Sequence, residues 1–284
     1  MTEPGRLVVV GTPIGNLEDM SPRGVRALRE ATTIYCEDTR RTRKLLSALA
    51  IPAPPLHRLD RHTERNVAAR VCAQVEAGAV VAVVSDAGMP TISDPGSDLV
   101  KGVASSGLPT EVVPGPCAVS AALALSGFPA GAYRFAGFLP RKGRDRNEVL
   151  ETIAAEPAAV VVYESPHRVA ATIADLAAVC GGDREVAAAK ELTKLHEQVW
   201  RGPLSDGPGW FAGVELKGEW VIVVGPRPEA DPVVVDADDI SVALAARLER
   251  GTDRRTAVAE VAQLLGQPKR VVYQVALTLK AVRP

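Results

Sequence analysis

The apolar run Val80-Val81-Ala82-Val83-Val84 leads straight into Ser85-Asp86-Ala87-Gly88-Met89-Pro90-Thr91-Ile92-Ser93-Asp94-Pro95-Gly96. A short β-branched run without polar alternation predicts a strand buried on both faces, as in a parallel sheet covered by helices. The chain then becomes a long loop of small, turn-forming and acidic residues. Gly88 and Gly96 permit positive φ or close backbone approach, while Pro90 and Pro95 stiffen the path and remove amide donors. Such a loop at the carboxyl end of a parallel strand is where open α/β sheets bind ligands. The apolar run at 7–10 ends in a matching loop, Gly11-Thr12-Pro13-Ile14-Gly15-Asn16. Two rigid loops at neighbouring strand ends predict a ligand cleft.

The same alternation extends through the first part of the chain. Strands are predicted at 7–10, 33–36, 80–84 and 110–113, with helices at 21–30, 39–50, 63–77 and 95–106. This pattern predicts an α/β domain with a mostly parallel sheet, placed at 1–114. From there the rhythm changes, with helices at 117–125 and 147–155 and strands at 133–138, 159–163, 185–189, 197–201 and 219–224. These predict a second, α+β domain at 115–226, its sheet mixed or antiparallel. Pro226, Pro228 and Pro232 lie among Glu229, Asp231, Asp236, Asp238 and Asp239, which predicts an extended acidic linker at 227–240. Beyond it, 241–249, 254–265 and 268–280 show apolar spacing of three and four residues, with Gly266-Gln267 as a break. The expectation for 241–284 is a small helix-turn-helix-like extension. It carries Arg247, Arg250, Arg254, Arg255, Lys269, Arg270, Lys280 and Arg283, either a solvated face or an electrostatic handle for RNA or a partner subunit.

Other classes are poorly supported. The formal net charge of −1 supplies no global field for nucleic acid, so any basic surface must be local. Cys36, Cys72, Cys117 and Cys180 form no Cys-x-x-Cys pair, which suits idle thiols in a reducing cytosol. No apolar run approaches the roughly 20 residues needed to cross a bilayer, and Glu3 and Arg6 precede only a very short apolar strand. The expectation is a soluble cytoplasmic protein without a membrane partner. Gly11-x-x-x-Gly15 is not a dinucleotide fingerprint, and no Walker lysine follows it. No Gly-x-Ser-x-Gly elbow is present. His57 and His62 lack a third spaced ligand, so no metal is expected.

What remains is a small ligand held mostly by backbone groups. Val113-Pro114-Gly115-Pro116-Cys117-Ala118 adds a third loop just before a helix, whose free amides suit a carboxylate. Asp86, Asp94 and Glu37 stand near strand ends and favour a cationic centre. A ligand with a carboxylate, an adenine and a sulfonium fits this set, and S-adenosyl-L-methionine is such a ligand.

Several segments recur in an order characteristic of one family. They are 7–16, Tyr35-Cys36-Glu37-Asp38-Thr39-Arg40, 85–96, 114–118, Tyr163-Glu164-Ser165-Pro166-His167-Arg168, Lys190-Glu191-Leu192-Thr193-Lys194 and Gly218-Glu219-Trp220. Together they resemble the branch of the tetrapyrrole methylase superfamily that modifies small-subunit ribosomal RNA. The resemblance covers about 6–225 and continues into the helical tail. It implies a two-domain fold with S-adenosyl-L-methionine folded between the domains, and a homodimer. It also implies, as acceptor, the 2′-hydroxyl of a decoding-centre cytidine in the 16S rRNA of the small ribosomal subunit.

Carried over by position, Pro13, Ile14 and Gly15 form the first cofactor loop. Asp86, Ala87, Gly88, Pro90, Ser93, Asp94, Pro95 and Gly96 form the second, and Cys117 and Ala118 continue the pocket. Tyr163 and Leu192 approach the adenosine from the second domain, while Glu37, Asp38, Thr39 and Arg40 face the acceptor. The chain departs from the family pattern at His62-Thr63-Glu64, where His-Asn-Glu is common, and at Lys190, where arginine is common. The lysine keeps the charge and loses a guanidinium fork.

Methyl transfer from a sulfonium is an in-line displacement, so positioning supplies much of the catalysis. A ribose hydroxyl is a weak nucleophile that benefits from a base or from a cation beside its developing oxyanion. Lys194 is the leading catalytic candidate, either as a base with a pKa depressed by burial beside the cationic cofactor or as a phosphate-binding lysine. Glu37 or Asp38 would orient the acceptor, with helix capping as the alternative for Asp38. RNA contact is expected from Arg40, Arg41, Arg43 and Lys44, from Arg134, Arg141, Lys142, Arg144 and Arg146, and from His167 and Arg168, with a solvated face as the alternative for each cluster and a structural helix-start role as the alternative for His167. The alternatives are a tetrapyrrole or protein acceptor within the same superfamily, or a non-catalytic ribosome-binding module.

Overall fold

The run at 80–84 forms the middle strand of a five-stranded sheet whose recorded pairings are all parallel. The computed structural model describes residues 5–60, 63–228 and 236–279, without the side chain of Arg65. Strands β1 (Arg6–Val10), β2 (Thr33–Cys36), β3 (Leu56–Arg58), β4 (Val80–Val84) and β5 (Thr110–Val113) lie in the order β3-β2-β4-β1-β5. Helices α1 (Pro22–Glu30), α2 (Thr39–Ala48), α3 (Glu64–Glu76) and α4 (Ser97–Ser105) connect them. Strand residues alternate between two cores. Val8, Val10, Ala82 and Val84 pack with Leu28 and Leu46, while Leu7, Val81 and Val83 pack with Val71, Leu99 and Val103. Burial on both faces is why these strands read as continuous apolar runs. Strand β3 was not legible, because three residues of mixed polarity at a sheet edge carry no periodicity.

The second sheet follows helix α5 (Ala118–Ser126). It contains β6 (Tyr133–Phe138), β7 (Ala159–Glu164), β8 (Glu185–Lys190), β9 (Gln198–Pro203) and β10 (Trp220–Val224), in the order β6-β7-β10-β8-β9. The β6–β7 pair is parallel and the other pairings are antiparallel, so the sheet is mixed. Helices α6 (Arg144–Ala155), α7 (Val169–Cys180) and α8 (Gly207–Ala212) complete this region. The helix expected at 147–155 begins earlier, so that Arg144 and Arg146 lie in the first turn of α6. Helix α7 escaped sequence reading because its run of alanines and valines blurs any polar face. One sheet face packs on Leu150, Ile173 and Leu176, and the other on Val119, Leu123 and Ile14. Ile14 belongs to the loop after β1, so that loop is anchored in the core of the second sheet.

Residues 1–227 form one unit by contact density and residues 228–284 another. In the second unit, α9 (Ala237–Glu249), α10 (Arg254–Leu264) and α11 (Lys269–Thr278) surround Ile240, Leu244, Ala257, Val261, Val272 and Ala276. Asp236, read from sequence as part of a linker, caps α9, its Oδ1 accepting the amides of Asp238 and Asp239 at 2.8 Å each. The linker residues 229–235, His62, Lys280 and Arg283 lie outside the described residues. Among the described residues no helix is long and apolar enough to cross a membrane.

Candidate functional site

Because β4, β1 and β5 are adjacent, their carboxyl-terminal loops meet. Thr12 and Gly88 form an isolated antiparallel bridge. The Thr12 amide donates to Gly88 O at 2.8 Å, and the Gly88 amide donates to Thr12 O at 3.1 Å. Buried Ser85 reinforces the turn, its hydroxyl donating to Ala87 O at 3.2 Å. The Gly11 amide donates to Val113 O at 3.0 Å, and a Cβ on Gly11 would lie 2.7 Å from Gly115 Cα. That pair of glycines allows the β1 and β5 loops to touch. Within the 85–96 loop, Thr91 and Ser93 hold left-handed φ values of 73° and 70°. Each such non-glycine conformation stores on the order of 1–3 kcal/mol, a cost met where surrounding structure fixes a ligand site.

The three loops enclose a cavity of about 380 Å³, within the roughly 300–1,000 Å³ range of small-molecule sites. Of the residues expected to hold a cofactor, Ile14, Ala87, Gly88, Ser93, Asp94, Cys117, Ala118 and Tyr163 line it. Helix α5 begins at this wall and has no side-chain cap, and its Val119 amide faces the Tyr163 hydroxyl. Burial pushes the Tyr163 hydroxyl well above its ordinary pKa, with the Cys117 and Asp94 charges adding to the effect. The phenol therefore stays protonated and is not a base.

Pro13, Gly15, Asp86, Pro90, Pro95, Gly96 and Leu192 do not line the cavity. Leu192 is buried in the second-sheet core beside Ile14. Gly15 packs on the loop after β8, where a Cβ would fall 2.9 Å from Thr193 Oγ1. Asp86 turns toward α2, its Oδ1 accepting the Asp38 amide at 3.1 Å and its Oδ2 lying 3.5 Å from Arg41. Sequence reasoning did not assign Met89, Ile92, Phe138, Glu164, Ser165, Pro166, Gly218, Glu219, Trp220 or Val221, all of which line the cavity. The segments 163–168 and 218–220 gave the signal for most of them, since both stood among the recurring segments while Glu164, Ser165, Pro166 and 218–220 had no assigned role.

Lys194 reaches the cavity edge through Glu219. Its Nζ donates to Glu219 Oε2 at 2.9 Å and to Glu191 Oε1 at 2.8 Å. Burial by itself lowers its pKa, but the two carboxylates outweigh this and hold it above the ordinary lysine value. The two carboxylates thus favour the ammonium form, whereas the depressed pKa expected from the sequence is tied to a cationic cofactor beside the lysine. Glu191 and Thr193 adopt left-handed φ values of 52° and 65°, so this loop too is strained.

On the β2 side, Asp38 caps α2, accepting the Arg40 amide at 2.8 Å. The Arg40 guanidinium pairs with the same carboxylate at 2.8 Å and holds it well below the usual carboxylate range. Glu37 Oε2 accepts the Asp86 amide at 3.2 Å. These contacts tie β2 to the β4 loop.

Two expected RNA-binding arginines are structural instead. Arg146 is buried, with Nη2 2.7 Å from Asp175 Oδ2 and 3.0 Å from Thr172 Oγ1, and with Nη1 donating to Pro140 O at 3.0 Å. Arg168 sits 2.7 Å from the fully buried Glu164 carboxylate and donates to Leu139 O at 3.2 Å. Both guanidiniums are committed to a carboxylate and a main-chain carbonyl of the fold. Arg141, Lys142 and His167 are exposed. Among the described residues, no group of three or more His, Cys, Asp or Glu side chains gathers as a metal site.

Residues 6–207 match the model of the tetrapyrrole (corrin/porphyrin) methylases, and residues 235–280 match an RsmI C-terminal HTH domain. A Synechocystis protein named ribosomal RNA small subunit methyltransferase I is 38% identical over 98% of this chain and 99% of its own length. A Thermotoga maritima protein of the same name is 42% identical over 78% of this chain and 99% of its own. Among solved structures, the methyltransferase CobJ superposes with a TM-score of 0.56 at 22% identity, covering 78% of this chain and 94% of that one.

Proposed function

Since the chain belongs to the tetrapyrrole methylase family and to its ribosomal RNA small subunit methyltransferase I branch, we propose that it transfers a methyl group from S-adenosyl-L-methionine to 16S rRNA of the small ribosomal subunit. The observation that carries this reading is the cavity at the ends of β4, β1 and β5, closed by Tyr163 and Glu219 from the second sheet. Its walls are apolar, its convergent polar groups few, and its glycine-lined face admits close backbone approach. These features fit a compact amphipathic cofactor.

When bound, S-adenosyl-L-methionine supplies an electrophilic methyl group on a sulfonium. The uncapped start of α5 suits its carboxylate, and Asp94 and Glu219 supply negative charge around a cationic centre. Ile14, Ala87, Gly88, Ser93, Cys117, Ala118 and Tyr163 form contact surface. Pro13, Gly15, Asp86, Pro90, Pro95, Gly96 and Leu192 act by fixing the loops. Lys194, kept as an ammonium, stabilises charge developing on the acceptor oxygen or grips the adjoining phosphate, which agrees better with its raised pKa than proton abstraction does. Glu37 and Asp38 hold the acceptor-side rim, and Arg40, Arg41, Arg141, Lys142 and His167 lie on surfaces suited to phosphates or a base. The acceptor atom in this reading is a cytidine 2′-oxygen at the decoding centre, and the working form is a cytoplasmic homodimer.

The test is incubation with labelled S-adenosyl-L-methionine and small subunits lacking the modification. Label in the RNA fraction is expected. Label only in protein, or only in an added tetrapyrrole, would assign the same site to a different acceptor class.

A further inference from the structure

The starts of α10 and α11 place Arg254 and Arg255 on one side, and Lys269 on the other, of a concavity of about 460 Å³, with Arg270 exposed next to Lys269 in the chain. Arg254, Arg255, Lys269 and Tyr273 line it, above a floor of Val258 and Ala259. All four cationic side chains are exposed, and Tyr273 is 52% exposed. Among the described residues none of the four forms an ion pair. Arg254 Nη2 donates a hydrogen bond to Leu279 O at 3.3 Å. The neighbouring carboxylate, Asp253, is committed to capping α10, accepting the amides of Arg255 and Thr256 at 3.0 and 3.1 Å. Within the same unit Arg247 differs, pairing with Glu260 at 2.9 Å.

Unpaired exposed cations around a hollow attract polyanions. An exposed tyrosine on the same wall adds a face on which a base can stack. A protein partner would ask for carboxylates alone, whereas a strand of nucleotides uses both the charges and the ring.

We propose that Arg254, Arg255, Lys269, Arg270 and Tyr273 form a second, non-catalytic RNA site that takes the sugar-phosphate backbone and one unstacked base of single-stranded or looped rRNA. The proposal rests on the reading of the protein as an rRNA methyltransferase. It assigns the helical extension to substrate affinity, with the chemistry left to the cavity of the first unit. Each cation that neutralises a phosphate on a single strand contributes about 0.7 to the slope of log affinity against log salt. Removing two of them should lower the slope by about 1.4 and weaken binding roughly tenfold near 0.15 M salt.

The experiment measures binding of the full chain to naked 16S rRNA and to undermethylated small subunits across a salt series. The Arg255→Gln/Lys269→Gln protein should lose roughly tenfold in affinity for both and show the shallower slope. Tyr273→Ala should lose about fivefold or more with the slope unchanged. Arg255→Lys/Lys269→Arg should keep the wild-type slope. Affinity of the methyl donor and the melting temperature should be unchanged throughout, which excludes misfolding. Wild-type affinity and slope in the double glutamine variant would overturn the proposal. Loss on assembled subunits with none on naked RNA would also overturn it, by identifying a ribosomal protein as the partner. Binding is read directly. A wild-type protein that fails to methylate RNA would therefore refute the proposed function, while the salt slope still decides this surface.

Discussion

Replacing Gly88 by valine puts a β-branched side chain at φ +82°, with its Cβ 3.2 Å from Ile14 Cγ2 and 3.4 Å from Pro116 O. The left-handed conformation costs an L-residue about 1–2 kcal/mol. The contacts add to this, because Ile14 is held in the second-sheet core and Pro116 O is backbone. The valine methyls are therefore accommodated by moving the cavity wall. A loss of at least about 2 kcal/mol in S-adenosyl-L-methionine binding corresponds to roughly a 30-fold higher Kd. Gly78 is a matched control, since its φ is +87° and its Cβ would meet nothing within 4 Å. Gly78→Val should carry the backbone strain without touching the site. Isothermal titration with the cofactor, beside thermal unfolding, separates the two effects. Both variants should melt lower, by about 2–4 °C per kcal/mol for a chain of this class, and only Gly88→Val should lose affinity. Wild-type affinity in Gly88→Val, or equal losses in both, would refute the assignment of this loop to the cofactor.

Lys194→Met should reduce turnover while leaving cofactor affinity nearly unchanged, as judged by steady-state methylation and titration. The raised pKa of Lys194 means that its pairing stabilises the fold below about pH 10 and is lost as pH climbs through the folded value. Glu191 is held low first by its hydrogen bond from Lys194, so its contribution is present above about pH 4 and fades as pH falls. The difference in melting temperature between wild type and Lys194→Met should thus be full-sized at neutral pH and shrink in acid. An unchanging difference would mean that the pairing has no energetic weight. Arg146→Ala should cost about 2 kcal/mol by removing the hydrogen bonds that its buried guanidinium donates to Pro140 O, Thr172 and Asp175, without altering the salt dependence of RNA binding. A reduced salt slope would restore Arg146 as a phosphate contact. Gly11→Ala, whose Cβ would sit 2.7 Å from Gly115 backbone, should weaken cofactor binding by parting the β1 and β5 loops, and normal affinity would show that those loops need not touch.

The parts of the fold legible in the sequence were those with strong local chemistry. Strands such as 33–36 and 80–84 were readable because both their faces are buried, and the proline- and glycine-rich loops marked the cavity because backbone approach there needs those residues. Edge strand β3 and helix α7 left no contrast between polar and apolar faces. The sequence also could not separate exposed from enclosed cations. Arg141 and Arg146 sit in one basic run, yet Asp175 and Thr172, distant in the chain, make Arg146 part of the core. The carboxylate partners of Lys194 were hidden for a related reason. Burial and positive charge were foreseen, whereas Glu219 comes from another strand end, 25 residues on. Phe138 and Val221 reach the cavity only through the pairing of the second sheet.

The most direct measurement digests 16S rRNA from undermethylated small subunits after reaction with labelled S-adenosyl-L-methionine and this protein, and maps the label by nucleotide and by atom. A 2′-O-methylcytidine at the decoding centre is expected, absent with Gly88→Val. Label on a base, at a different nucleotide, or nowhere in the RNA despite demonstrated cofactor binding would contradict it.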